Sequence, residues 1–250
     1  MILLLPMAGE GARFKSAGYT QSKPCIPIDS IPMVIQAVRS LPKPLRIIFI
    51  CRDFHIRDGI DTMIKQFYPN AEFVVIDKLT QGQADTCLRA QKKIDPNDAL
   101  LIGACDNGML YQSEAFHTLS RTADCIVWTF RNNAAVVEHP EQYGWMAVDE
   151  TRRVQRTSIK KALSRTPKKD HAVVGTFWFA KGHFFTQAVT QMMRNNDRIN
   201  GEFYVDKCID YCLESGLDVR IFEIDHYIGW GTPHDLETWT YWQTFFKTKR

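Results

Sequence analysis

The sequence has no excess of charge of one sign, no long apolar run and no paired cysteine spacing, and each absence removes a class of protein. Its 250 residues carry 31 Lys and Arg against 28 Asp and Glu, a net charge of +3. That is too small to imply a nucleic-acid or membrane partner unless the positive charges cluster. The one apolar start, Met1 to Ala8, contains Pro6, follows no basic region and meets Glu10 and Arg13 at once. It is too short for a signal peptide or a membrane span. Seven cysteines (Cys25, Cys51, Cys87, Cys105, Cys125, Cys208, Cys212) are an odd number without CxxC spacing, and most stand in apolar runs. They read as reduced core thiols of a cytoplasmic protein rather than a disulfide framework or a zinc site. Linkers, internal repeats and low-complexity tracts are also missing, and an apolar fraction of 45% with 24% charged residues is that of a folded globular chain.

What is present is an alternation. β-branched or aliphatic runs at Ile2–Leu5, Arg46–Cys51, Glu72–Ile76, Ala99–Cys105 and Cys125–Phe130 read as strands. Between them, Met33, Ala37, Val38 and Leu41, then Ile60, Ile64 and Phe67, then Ala84, Leu88 and Gln91 give helices with one buried stripe. This order predicts a mostly parallel sheet covered by helices. After Phe130 the pattern changes: Trp145–Asp149, Val154–Ile159 and Val173–Ala180 read as strands without a long helix between them, so a small antiparallel insertion is expected. Helices resume at His183–Asn195 and Phe203–Ser215, the second closed by Gly216. A strand, Val219–Ile224, then precedes a Pro233-initiated helix rich in aromatics. One α/β domain spanning 1–250 is the expectation.

The first strand runs into Pro6-Met-Ala8-Gly9-Glu-Gly11-Ala-Arg13-Phe14, and Ser22-Lys23-Pro24 follows. A glycine-rich turn beyond the carboxyl end of a parallel strand lets backbone N–H groups approach phosphate oxygens. Arg13 adds a bidentate fork and Lys23 a point charge. The turn lacks the third glycine and the acidic residue of a dinucleotide site, and it lacks Gly-Lys-Ser/Thr, so neither of those phosphate-binding motifs is met.

Taken together, Gly9-x-Gly11-x-Arg13-Phe14 with Lys23-Pro24 resembles the signature of the sugar-phosphate nucleotidylyltransferases. Further landmarks of that family stand in the same order along nearly the whole chain: Gln81-Gly82-Gln83-Ala84, Asp106, Tyr143-Gly144, Ser158-Ile-Lys160-Lys161, Val174-Gly175-Thr-Phe-Trp-Phe179, Gly201-Glu202 and Gly231-Thr232-Pro233. The resemblance implies a Rossmann-like, glycosyltransferase-A-type mixed α/β sheet flanked by helices. It implies transfer of a nucleoside monophosphate from CTP, UTP or dTTP to a phosphorylated small molecule with release of pyrophosphate, and Mg²⁺ as cofactor. The acceptor expected is a sugar 1-phosphate for surface polysaccharide; a cytidylyltransferase acting on phosphocholine or phosphoglutamine is the alternative. In this reading Arg13 holds the β,γ-phosphates, Lys23 the α-phosphate and Lys161 the acceptor phosphate. Ala8, Gly9, Gly11, Gln81 and Gly82 bind the nucleotide; Gly144, Gly175 and Glu202 contact the acceptor.

The sequence departs from the family in places. Ser22 replaces a proline, Lys160 replaces a glutamate and Ala162 a proline, while the place of a second magnesium-binding aspartate holds Gly229 and Trp230. The metal role is therefore carried by Asp106 together with Asp225, the nearest carboxylate. A nucleotide-sugar glycosyltransferase would need Asp-x-Asp, whereas Asp106 is followed by Asn107-Gly108. A silent binding module is disfavoured by the joint presence of Arg13, Lys23, Asp106 and Lys161. The basic, acid-free run Thr151–Lys169 has no interleaved aromatics, so it reads as a solvated hairpin with Lys161 and its neighbour Lys160 reserved for phosphate, not as an RNA-binding stripe. His139 and His234 are surface residues, and Cys208 with Cys212 are core. The terminal aromatics pack on the sheet or form a homodimer contact.

Overall fold

The structure, a computed structural model, describes residues 1–248. Its strands are, in chain order, β1 (Ile2–Pro6), β2 (Pro27–Ile28), β3 (Ile31–Pro32), β4 (Arg46–Arg52), β5 (Glu72–Ile76), β6 (Leu100–Ile102) and β7 (Asn107–Leu110). They continue with β8 (Cys125–Phe130), β9 (Gly144–Val148), β10 (Val154–Ile159), β11 (His171–Phe179), β12 (Val219–Glu223) and β13 (His226–Gly229). The main sheet is mixed, as the sequence leads one to expect. β5, β4, β1 and β6 lie side by side and parallel. β11 pairs antiparallel with β6 and β8, and β12 lies parallel to β8. The antiparallel insertion is the β9–β10 hairpin, which leans on the first residues of β11.

Burial on both faces of the sheet follows from the period of two along each strand. Ile2 and Leu4 of β1, Ile48 and Ile50 of β4 and Leu100 and Ile102 of β6 face one side, where they meet Ala84, Cys87, Phe185, Val189, Cys208 and Ile209 from three helices. The alternate residues, Leu3, Leu5, Phe49, Cys51 and Leu101, face the other and pack on Val34, Ile35, Val38, Ile60, Ile64 and Phe116. The helices that supply the first layer are Gln83–Leu88, Gly182–Arg194 and Val205–Glu214. Those supplying the second are Met33–Arg39, Ile60–Phe67 and Ser113–Leu119. All seven cysteines are free thiols, five of them buried.

Two features were not expected. The chain after β6 turns outward into β7, which pairs antiparallel with β13 in a separate ribbon, Asn107 opposite Gly229 and Leu110 opposite His226. A third apolar cluster (Phe14, Ile26, Ile28, Met33, Trp230 and Leu236) then joins the glycine-rich segment to the last helix, Pro233–Thr248. That helix opens with a capping box. Thr232 Oγ1 accepts from the Asp235 N–H at 3.1 Å, while the Asp235 carboxylate accepts from the Thr232 N–H at 3.0 Å. Pro233 fits the first helical position, where no N–H is needed.

Candidate active site

Strand order reverses direction at β1: the chain goes on to β4 on one side and later to β6 on the other. In an open α/β sheet the loops leaving such strands part at this point and leave a crevice beyond their carboxyl ends. Three cavities that share lining residues fill it. The first, about 290 Å³, is lined by Gly9, Gly11, Arg13, Phe14, Lys23, Cys105 and Gly231. The second, about 320 Å³, shares Arg13 and Gly231 and is lined by Asp106, Asn107, Tyr143, Gly144, Lys160, Gly175, Tyr204, Asp206, Thr232 and Asp235. The third, about 230 Å³, holds Ala8, Gly9, Thr80, Gly82, Gln83 and Glu202, and shares Gln83 with the second.

A left-handed glycine shapes the first cavity. Gly11 sits at φ 64° and caps the short helix Ala12–Ser16, which turns Arg13 toward the cleft and lays Phe14 into the apolar cluster below. Lys23 Nζ donates to Asp106 Oδ2 at 2.5 Å. Burial opposes the charge on both partners, yet each is the other's counter-ion: Lys23 is held above the ordinary lysine pKa, and Asp106 below the ordinary carboxylate value. The charge of Arg13 is felt at Lys23, Asp106 and Lys160, so it stands between the two cavities. Cys105 is pushed up to about 12 by burial and by Asp106, which keeps it a protonated thiol.

In the second cavity the floor is Asn107, whose side-chain amide donates to Val174 O at 2.8 Å and ties β7 to β11. Lys160 adopts φ +61°, a left-handed conformation unusual for a residue with a side chain. This turns its ammonium inward, where it donates to Gln142 O at 2.8 Å and lies 5.3 Å from the centre of the Tyr204 ring. Asp206, on the first turn of helix Val205–Glu214, points at the same space. Burial raises its carboxyl to about 6, against the pull of Lys160. Gly144 is required opposite it, since a Cβ there would collide with Asp206 Oδ2.

Several expected site residues lie away from the crevice. Lys161 is exposed and outside the cavity lining; the reversal of direction at Lys160 gives that place to Lys160 instead. Asp225 is also exposed. Its N–H bonds Leu110 O at 2.9 Å and its carboxylate accepts from Gln112 at 3.3 Å, at the far end of the β7–β13 ribbon from Asp106. Four residues of β-structure, roughly 13 Å at the usual rise per residue, separate Leu110 from Asp106. The carboxylate that does approach is Asp235: the position a Cβ of Gly231 would take is 3.4 Å from Asp106 Oδ2 and 4.0 Å from Asp235 Oδ2. Nothing in the sequence singled out Asp235. Gln81 does not line the crevice. Its side chain accepts from Arg198 and its carbonyl from the Phe203 N–H, so the neighbouring Gln83 faces the cavities. Glu202 lies in the cavity with Ala8 and Gly82, whereas Tyr204 and Asp206 take the side assigned to it. Arg13, Lys23, Asp106, Ala8, Gly9, Gly11, Gly82, Gly144 and Gly175 all line the crevice or close against it.

This architecture, a mixed α/β sheet with a crevice at its turning point, is shared with several solved structures. Among solved structures it is similar to a nucleoside-diphosphate-sugar pyrophosphorylase from Vibrio cholerae RC9, with TM-score 0.78 and 17% identity over 96% of this chain and 99% of that one. It is similar also to a Bacillus anthracis protein described as a glucose-1-phosphate thymidylyltransferase (0.73, 16%, 96% and 94%). A third similar structure is the inositol-1-phosphate CTP transferase from T. maritima (0.72, 12%, 96% and 93%). No family model and no curated protein sequence matches the chain.

Proposed function

We propose that the protein transfers a nucleoside monophosphate from a nucleoside triphosphate to a phosphorylated small molecule, with release of pyrophosphate. The observation that carries the proposal is the convergence of three cations from separate parts of the chain, Arg13, Lys23 and Lys160, on one crevice that also holds Asp106. Attack of one phosphate on another brings two anions together, so what the protein must supply is cations and alignment. Arg13 and Lys23 lie beside the glycine-rich turn and would grip the triphosphate; Lys160 would hold the acceptor phosphate. The base would enter the cavity of Ala8, Gly82 and Gln83. A phosphate-monoester acceptor is already an anion near neutral pH, so no side chain has to remove a proton from it.

Among the described residues no group of three or more His, Cys, Asp and Glu could hold a metal by itself. Asp106 and Asp235, which line one cavity beside Gly231, would be the carboxylates offered to a hard divalent cation such as Mg²⁺. Such an ion takes one or two carboxylates and fills its remaining positions with substrate phosphates and water. When bound it would neutralise charge that develops on the departing pyrophosphate. Lys23 would have to leave Asp106 for the triphosphate in the same event.

The acceptor favoured is a sugar 1-phosphate. A phosphate bearing an ammonium group is the second reading, favoured by Asp206: its carboxylate faces the acceptor cavity and is charge-paired only loosely, through Lys160. The test is incubation with each nucleoside triphosphate, Mg²⁺ and a panel of sugar 1-phosphates, phosphocholine and other phosphorylated amines, with pyrophosphate release as readout. Release that depends on both substrates supports the proposal; none across the panel, with triphosphate binding also absent by calorimetry, refutes it.

A further inference from the structure

The cavity proposed to take the base has a polarity that phosphoryl transfer does not itself require. Pro6, Ala8 and Leu79 give it apolar surface, and Leu79 is 59% exposed there. Its side-chain polar groups are mostly acceptors. The hydroxyls of Thr80 and Thr86 bond each other and the Gly82 carbonyl, which lies 3.2 Å from Thr80 Oγ1 and 3.0 Å from Thr86 Oγ1. Both hydroxyl protons are spent within that triangle, so only oxygen lone pairs remain for a ligand. Glu202 adds a carboxylate, which when ionised accepts and does not donate. Its backbone is fixed: Glu202 and Ile199 exchange N–H and carbonyl bonds at 3.0 Å, and the next residue, Phe203, bonds Gln81 O at 2.8 Å and the Ala84 N–H at 2.9 Å. The neighbouring Arg198 does not take up the charge, because it donates to Asn196, Gly201 O and Gln81. The Tyr204 hydroxyl reaches Glu202 from the second cavity. A carboxylate has about four lone-pair sites, so one hydroxyl leaves most of its accepting capacity open.

We infer that Glu202 selects the base, by accepting a hydrogen bond from an exocyclic amine, so that the triphosphate taken is one with an amino-bearing base rather than uracil or thymine. The inference rests on the reading of this crevice as a triphosphate site. Cytosine and adenine present an amine on the edge where thymine and uracil present a carbonyl oxygen. Against a carboxylate the amine is paired. The carbonyl is not: two acceptors then face each other, and both lose water without gaining a bond. Gln83, which lines the same cavity, both donates and accepts, so it can serve either edge and selects neither. Gln81, expected from the sequence to contact the nucleotide, has its side chain held by Arg198, and Glu202 brings to the cavity the polar group that Gln81 does not.

Titration calorimetry of the full chain with Mg²⁺ and two isosteric pairs, CTP against UTP and ATP against ITP, tests the inference. Within each pair the ring is the same and an amino edge is exchanged for an oxo edge. In the pair whose ring the cavity admits, the amino member should bind roughly ten- to hundredfold more tightly, the worth of a charge-assisted bond at a partly exposed site. Glu202→Gln can turn its amide to serve either edge and should bring the two members close to equal affinity. Glu202→Ala should do the same, chiefly by weakening the amino member. A general disturbance of the fold would weaken both members alike, so the ratio is the readout. Equal binding of the two members by the wild type, or a preference that survives in both variants, would overturn the inference and leave the triphosphate site standing. Binding of none of the four would overturn it together with the reading on which it rests.

Discussion

Replacing Gly82 with alanine should be among the most damaging single-methyl changes in the protein. Gly82 has φ 121° and ψ 176°, a region open in practice only to glycine. Holding another residue there costs about 1–3 kcal/mol. The added Cβ would lie 2.5 Å from Phe203 O and 2.6 Å from Phe203 N. Both are backbone atoms, so no side chain can rotate out of the way. Phe203 is itself fixed from both ends, its N–H donating to Gln81 O at 2.8 Å and its carbonyl accepting from the Ala84 N–H at 2.9 Å. Relieving the clash means overpacking or parting these bonds, a further 1–3 kcal/mol or so. The expected loss is therefore about 2–6 kcal/mol, read in urea as a fall in midpoint at constant slope. Because Gly82 lines the cavity proposed to take the base, triphosphate affinity in the folded fraction should fall as well. A loss below about 1 kcal/mol, the level of an ordinary surface change, would show that the turn does not approach Phe203 as described.

Three further outcomes are expected. Lys160→Ala should raise the acceptor KM by roughly ten- to hundredfold, the loss of a charged hydrogen bond, while Lys161→Ala leaves it unchanged; equal effects would undo the assignment of the inward position to Lys160. Asp206, with its carboxyl raised to about 6, makes the folded state take up a proton between about pH 4 and 6, so its charge costs stability above that window and nothing below it. Asp206→Asn should therefore be more stable than wild type near pH 8, by at most about 3 kcal/mol, and no more stable near pH 4; thermal melts at the two pH values decide this. Asp106→Asn should lower turnover on the order of 10²–10³-fold and, by stripping Lys23 of its counter-ion, lower stability at neutral pH by about 1–3 kcal/mol. Retention of more than a third of wild-type turnover, well inside that range, would remove Asp106 from the site.

The sheet was legible because its strands are buried on both faces and bounded by turn residues, so Leu3, Leu4, Phe49 and Ile50 declare themselves by composition alone. The ribbon of β7 and β13 was not. Asn107–Leu110 is four residues long, contains a glycine, and exists through pairing with a segment more than a hundred residues away. Gly9, Gly11, Arg13 and Lys23 lie within fifteen residues of one another and line one cavity, so their grouping is visible in the sequence, whereas Asp106 is picked out only through the family resemblance. Lys160 was displaced by one position because a single left-handed residue reverses which of two adjacent lysines points inward. Asp235 carried no motif and comes beside the crevice only through the fold. Gln81 looked free until folding placed Arg198 against it. In each case a contact distant in sequence decides where the side chain goes.

The central claim is that the α-phosphoryl group of a nucleoside triphosphate passes to a phosphorylated acceptor in this crevice. It is tested most directly by supplying triphosphate labelled with ³²P at the α-position, with Mg²⁺ and each acceptor, and separating the products. The account predicts label in a nucleoside diphosphate adduct of one acceptor, unlabelled pyrophosphate in equal amount, and loss of both in Lys23→Ala. Label that appears only as free nucleoside monophosphate, or adduct formation unaffected by Lys23→Ala, would contradict it.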